Sequence, residues 1–263
     1  MASLCIDNTI IRERKGWSTL YYQRHREAPV LWEIGASAGD IIKSSKKSRV
    51  RRVSDYVVKE SLLAGGAGPA KHTFQRGRYR RGWFAAHHLL KNGVLVPEPI
   101  AFIERGCLGL VTGNAMVSRF LSGQKNVEAF LGDLIGENAG ADTIHLYLGA
   151  MANAINQLRA CGAYHGDLSG KNIFTADGRR FTFIDLDDVT LDAVFSEEDV
   201  MKNHVQLYDS FCDVLSDSIM VPFLEKILPA EADIRVWMPK VRGAQRARRE
   251  AVEERWAREE ETR

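Results

Sequence analysis

The chain has 263 residues, 45% of them hydrophobic and 27% charged, with a net charge of +2. This is the composition of a soluble globular protein with ample apolar material for a core. It argues against a membrane-spanning chain, since no run of 18 apolar residues occurs, and no basic-then-apolar secretory leader is read at the start.

The charge is unevenly spread. Lys43 to Arg52 carries six basic residues and no acid, and Lys71 to Arg81 carries five and no acid. Such clusters suit a phosphorylated or anionic partner, or a solvated face. No nucleic-acid partner is expected, because stacking aromatics are not interleaved with these charges. The cysteines, Cys5, Cys107, Cys161 and Cys212, form no C-x-x-C pair and read as buried thiols of a reducing compartment.

In chain order, Gly35-Ala36-Ser37-Ala38-Gly39 reads as a loop that fits no phosphate-binding fingerprint. Lys43-Ser44-Ser45-Lys46-Lys47-Ser48-Arg49 follows. It has no glycine, but its hydroxyls, ammonium groups and backbone N–H groups could surround phosphate oxygens. Arg49, Val50 and Val53 predict one strand; Tyr56, Val57, Val58 and Lys59 predict a second after a Ser54-Asp55 turn. A lysine closing a Val-Val strand can reach a nucleotide's α- and β-phosphates. Residues 74–91 predict a helix through Trp83, Ala86, Leu89 and Leu90, and Gly93 to Pro99 an extended exit. Adjacent His87 and His88 read as structural. Leu108 to Phe120 reads as strand material ending in a connector at Ser118 to Gly123.

Residues 142–161 predict a helix, with Ile144, Leu148, Met151, Ile155 and Leu158 on one face, Asp142 as N-cap and Gly162 as stop. Next comes His165-Gly166-Asp167-Leu168-Ser169-Gly170-Lys171-Asn172. Ile173 to Thr175 and Phe181 to Ile184 then read as a hairpin about a two-residue Asp177-Gly178 turn, pairing Ala176 with Arg179 and Asn172 with Phe183. The return strand runs into Asp185-Leu186-Asp187-Asp188, where Asp187 and Asp188 read as solvated carboxylates, with contact of one of them to a second ion as the alternative.

This order of groups is what phosphoryl transfer requires. One carboxylate, Asp167, meets an attacking hydroxyl, while an amide and a second carboxylate, Asn172 and Asp185, offer oxygen ligands to Mg²⁺. Lys171 can offset charge on the transferred group, and His165 reads as an anchor of the loop. Beyond it, Ser196 to Asp199 fits a capping box, with Val200, Leu207, Phe211 and Leu215 forming a buried face packed under that loop. From Lys240 on, Arg246–Glu250, Arg249–Glu253 and Arg255–Glu259 stand at helical ion-pair spacing, predicting a solvated helix or frayed tail.

Together these segments resemble the protein-kinase-like fold and, more narrowly, the Kdo/WaaP lipopolysaccharide kinase family. The resemblance spans about residues 40–215. It rests on I-I-K-S-S-K-K-S-R-V-R-R-V, Y-V-V-K, W-F-A-A-H-H-L-L-K-N-G-V-L-V-P-E-P-I-A, H-G-D-L-S-G-K-N-I-F and F-I-D-L-D-D, with Lys202 to Ser210 resembling the family's following helix. It implies an α+β, bilobal fold. Residues 1–118 form an N-lobe with a small antiparallel sheet and one helix, and 119–240 a mainly helical C-lobe carrying the catalytic hairpin; 241–263 form a charged tail. It implies ATP and Mg²⁺ as cofactors, Asp167 and Lys171 as catalytic residues, and Asn172 and Asp185 as metal ligands. Lys59, Lys43, Ser44, Ser45 and Lys46 would lie at the nucleotide.

The acceptor implied is a heptose or Kdo sugar of the lipopolysaccharide core in a Gram-negative envelope. The enzyme would be cytoplasmic, with peripheral contact at the inner membrane. Gly166 after the loop histidine, and the lack of D-F-G and A-P-E, argue against a switched activation loop. An atypical RIO-like protein kinase and a nucleotide-binding pseudokinase acting as a partner module are the alternatives. One departure stands out: Gly82 occupies the position where the family carries the helix glutamate that pairs with the strand lysine. Glu60 neighbours Lys59 on the same strand, so it should face the other way, leaving Lys59 less firmly held.

Overall fold

Alternation along the early strands builds a sheet with two apolar faces. The computed structural model describes residues 10–45, 48–62, 69–108, 110–192 and 194–261. The chain divides into two units: Met1–Ser122 with Asp185–Val189, and Gly123–Ile184 with Thr190–Arg263.

The first unit is a seven-stranded antiparallel sheet. Its strands are β1 (Ile10–Lys15), β2 (Ser18–Gln23), β3 (Asp40–Ser44), β4 (Ser48–Val53), β5 (Tyr56–Ser61), β6 (Pro99–Cys107) and β7 (Leu110–Arg119). They lie in the order β1-β2-β6-β7-β5-β4-β3. Helix α1 (Ala28–Ala36) covers one face, where Leu20, Tyr22, Leu31, Ile34, Val58, Ala101, Ile103, Ala115 and Val117 form one cluster. Helix α2 (Pro69–Lys91) covers the other, where Tyr21, Tyr79, Trp83, Phe84 and Phe102 form a second. Tyr21 falls between Leu20 and Tyr22, and Phe102 between Ala101 and Ile103, so the two-residue period of the strands sorts side chains into two cores.

The strand pair expected at residues 49–59 is present, with Val50 opposite Lys59 and Ser54 turning at a φ of +53°. Among its described residues the unit has two helices where one was expected. The sequence reading assigns no element to residues 10–34, and α1 is nine residues long with no side-chain cap at Glu27. What secures α1 is tertiary: Arg105 and Arg51 donate to the carbonyl of Gly35 at 2.7 and 2.8 Å, and Arg51 also donates to that of Ser37. Cationic donors at a helix C-terminus satisfy carbonyls that have no partner within the helix.

The second unit is mainly helical. Strand β8 (Lys125–Asn126) and helix α3 (Val127–Gly136) precede α4 (Ala141–Ala160). Gly140, not Asp142, is the N-cap of α4, while the face Ile144, Leu148, Met151, Ile155, Leu158 is buried as its period requires. A two-residue strand β9 (Tyr164–His165) leads to the hairpin of β10 (Ile173–Thr175) and β11 (Phe181–Phe183), with β8 on the free side of β10. Helices α5 (Glu197–Phe211), α6 (Asp217–Lys226) and α7 (Ile234–Glu261) complete it.

The expected capping box is made: Ser196 Oγ accepts from Asp199 N at 3.1 Å and Asp199 Oδ2 from Ser196 N at 3.2 Å. Residues 241–261 continue α7, whose Trp237 and Val241 pack on Val200 and Val205 of α5. Arg249 does not use Glu253. It reaches Asp209 of α5 at 2.6 Å and Asp213 just beyond it at 2.8 Å, because a neighbouring helix end offers two carboxylates at once. The thiols are less enclosed than expected: Cys107 is exposed, Cys161 and Cys212 half-buried, and Cys5 lies outside the described residues. Cys107 closes β6 at the sheet's rim, where the hairpin to β7 projects from the core.

Candidate active site

The loop after β9 is held by side-chain bonds to its backbone. His165 Nδ1 accepts the Asp167 N–H at 3.2 Å, so Nε2 carries the proton and donates to Ile184 O at 2.9 Å. The imidazole thereby ties the loop to the end of β11, the anchoring role expected of it. From α5, Gln206 accepts the Leu168 N–H at 3.0 Å and Ser210 the Gly170 N–H at 2.9 Å. Helix α5 therefore packs under the loop as expected. A Cβ on Gly170 would meet Glu128 Cγ at 2.7 Å and Ser210 Cβ at 3.1 Å, so glycine allows the close approach.

Within this frame the Asp167 carboxylate has a donor on each oxygen. Asn172 Nδ2 donates to Oδ2 at 2.9 Å and Gln206 Nε2 to Oδ1 at 3.0 Å. Asn172 Nδ2 also reaches the Asp167 carbonyl at 2.9 Å. Because its N–H groups face Asp167, the Asn172 amide turns its oxygen elsewhere, where it can serve as a ligand. Lys171 is exposed on the 3-10 turn Gly170–Asn172. Gln206 is a contact that sequence reasoning missed. It lies on the helix recognised by its apolar period, and nothing local marks one polar residue there as different from its neighbours.

The hairpin corrects the expected register by one residue. Ile173 pairs with Phe183 and Thr175 with Phe181, leaving a five-residue connection. Gly178 takes a φ of +69°, but Asp177 does not turn left-handed. Instead Thr175 Oγ1 accepts from Gly178 N and Asp177 Oδ1 accepts from Arg179 N and Arg180 N, each at 2.9 Å. These side chains supply the turn's acceptors and lengthen the loop. Asn172 O then accepts from Ile184 N at 2.9 Å, so Asn172 stands opposite Ile184, whose next residue in the chain is Asp185.

The remaining candidates belong to the first unit. Lys59 lies on β5, on the face covered by α2, with its ammonium 5.7 Å from the centre of the Tyr79 ring. It is 2.5 Å from Asp185 Oδ1 and 2.5 Å from Asp187 Oδ2. Burial works against the ammonium charge, yet the attraction of Asp187 and then Asp185, with their hydrogen bonds, outweighs it and raises the pKa above the ordinary lysine value. Lys59 is thus firmly held, contrary to expectation, and Asp187 is a buried ion-pair partner rather than a solvated carboxylate; Asp188 is exposed. Glu60 points to the opposite face, as expected, towards Arg49, Arg51 and Arg105. Gly82 of α2 abuts the turn Leu186–Asp188: a Cβ there would stand 3.2 Å from Asp187 N and from Leu186 C and O.

Lys43 pairs with Val50, and Val50 with Lys59. Directly opposed residues share a sheet face, so Lys43 and Lys59 point to the same side, two strands or roughly 10 Å apart. Ser44 ends β3, and Ser45 begins the turn to β4, bonding Ser48 O at 3.1 Å through its hydroxyl. Lys46 lies outside the described residues.

The donors proposed for a cation, the Asn172 amide oxygen and the Asp185 carboxylate, are oxygen-only and few. Among the described residues no three His, Cys, Asp or Glu side chains converge as a metal cage. Such a sparse hard donor set fits Mg²⁺, which keeps water and phosphate in its shell.

Comparison with known proteins gives a family and a fold. Residues 69–234 match the family described as "Lipopolysaccharide kinase (Kdo/WaaP) family". Among solved structures, "WaaP in complex with acyl carrier protein" superposes with a TM-score of 0.62 at 19% identity, covering 87% of this chain and 93% of that one. The structure described as "High resolution (2.2 A) crystal structure of WbdD." gives a TM-score of 0.48 at 14% identity, over 77% of this chain and 49% of the other. No curated protein sequence matches the chain. The first likeness bears out the α+β, protein-kinase-like fold expected from the sequence.

Proposed function

The chain belongs to the lipopolysaccharide kinase (Kdo/WaaP) family, and from that premise we propose that it transfers the γ-phosphoryl group of ATP to a heptose or Kdo hydroxyl of the lipopolysaccharide core. The observation that carries this reading is the Asp167 carboxylate, held by Asn172 on one oxygen and Gln206 on the other. A carboxylate so fixed can orient an acceptor hydroxyl and take its proton as the new P–O bond forms and the bond to the β-phosphate oxygen breaks, releasing ADP. Lys59 places its ammonium on the α- and β-phosphates. Lys43, Ser44 and Ser45 contribute donors from the β3–β4 hairpin, the neighbouring Lys46 of the sequence would add its ammonium, and Lys171 offsets charge on the transferred group. Asn172 and Asp185 would hold Mg²⁺, which would supply positive charge to the phosphates.

The acceptor is an anionic glycolipid, which the basic N-terminal clusters suit, and the place of action is the cytoplasmic face of the inner membrane. No helix among the described residues is long and apolar enough to cross a membrane. The test incubates the purified protein with labelled ATP and separately with core glycolipid, free Kdo or heptose, and protein acceptors. Label on the sugar or glycolipid supports the proposal, and Asp167→Asn should lower its rate on the order of 10²–10⁴-fold. Label on protein alone, or on nothing, overturns it.

A further inference from the structure

Lys59 meets two carboxylates that differ in surroundings. Asp185 has a side chain 37% exposed and can exchange its lysine for a cation; Asp187 has a side chain 5% exposed. A carboxylate buried to that degree is costly unless paired, and the Lys59 ammonium stands 2.5 Å from it. Asp187 lies on the Leu186–Asp188 turn, which rests against α2 at Gly82. A Cβ at Gly82 would stand 3.2 Å from the backbone of Leu186 and Asp187, tighter than ordinary contact, so the turn would have to give by a few tenths of an ångström to admit one.

We propose that Asp187 is the positioning residue for Lys59, and that Gly82 is what admits the Asp187 turn against α2. Asp187 stays with Lys59 through nucleotide binding, while Asp185 is released to the metal. The proposal rests on the reading of Lys59 as the phosphate anchor.

ADP binding, measured by calorimetry in EDTA so that no metal takes part, tests it on the full chain, with a thermal melt of each variant. Lys59→Met and Asp187→Asn should each weaken ADP binding by about tenfold, and the double variant should bind no worse than Lys59→Met alone, since the two residues act as one unit. Full additivity, or wild-type affinity in Asp187→Asn while Lys59→Met is impaired, overturns the proposal. Wild-type affinity in Lys59→Met would instead strike at the phosphate role of Lys59, a distinct failure. Should Asp187→Asn not fold, Gly82→Ala keeps both charges and displaces the turn. It should bind ADP several-fold more weakly, and wild-type affinity in the folded Gly82→Ala protein overturns the proposal.

Discussion

Gln206 donates its amide N–H to Asp167 at 3.0 Å while accepting the N–H of Leu168, so a single side chain fixes both a carboxylate and the backbone of the residue after it. Replacing it with alanine leaves the Leu168 N–H unsatisfied and lets the Asp167 carboxylate rotate. Turnover should fall on the order of tenfold or more, with little change in the KM for ATP. Steady-state kinetics against Asp167→Asn check this: in the Asp167→Asn background, Gln206→Ala should add little, because its effect passes through Asp167.

Acid should destabilise the second unit through His204. Its ring is buried between Val200 O, 2.7 Å from Nδ1, and Leu224 O, 3.3 Å from Nε2. Burial lowers its pKa from 6.5 to about 4, against the backbone hydrogen bond to Val200 that favours the charged form. Because the folded pKa lies below the unfolded value, the unfolded chain takes up the proton first. Stability is full above pH 6.5 and falls as pH drops towards 4, by up to about 3 kcal/mol. Melting temperatures of the wild type and of His204→Gln across pH 7 to 4 check it: the variant should show the shallower decline.

Arg249 should matter to α7 and Glu253 should not. The guanidinium reaches Asp209 and Asp213, and both pairs are partly exposed. Arg249→Ala should cost about 1 kcal/mol, with less cost at high salt, whereas Glu253→Gln should leave the melting temperature unchanged. Thermal melts at two ionic strengths decide it.

What could be read from the sequence followed the strength of the local pattern. Helix α4 and the capped start of α5 were legible because their apolar residues recur at helical steps and Ser196 and Asp199 mark an end. The strands around Lys59 were legible because a turn separates two β-branched runs. Helix α1 was not, since it is held by Arg51 and Arg105 from distant strands rather than by its own cap. The hairpin register slipped because Thr175 and Asp177 serve the turn backbone with their side chains, which strand alternation does not encode. Asp167, Asn172 and Asp185 were singled out by their spacing in the chain. Gln206 and the burial of Asp187 required the tertiary fold, because each depends on a partner more than thirty residues away in the chain.

Asp185 and Asp187 sit two positions apart on a single bend, with Lys59 clasped between them. An acid carried by a separate helix can drift off with that helix and unhook its lysine. Here the carboxylate proposed for a cation and the lysine's counter-charge ride on the same short rung, so any displacement of that rung carries both backbones with it.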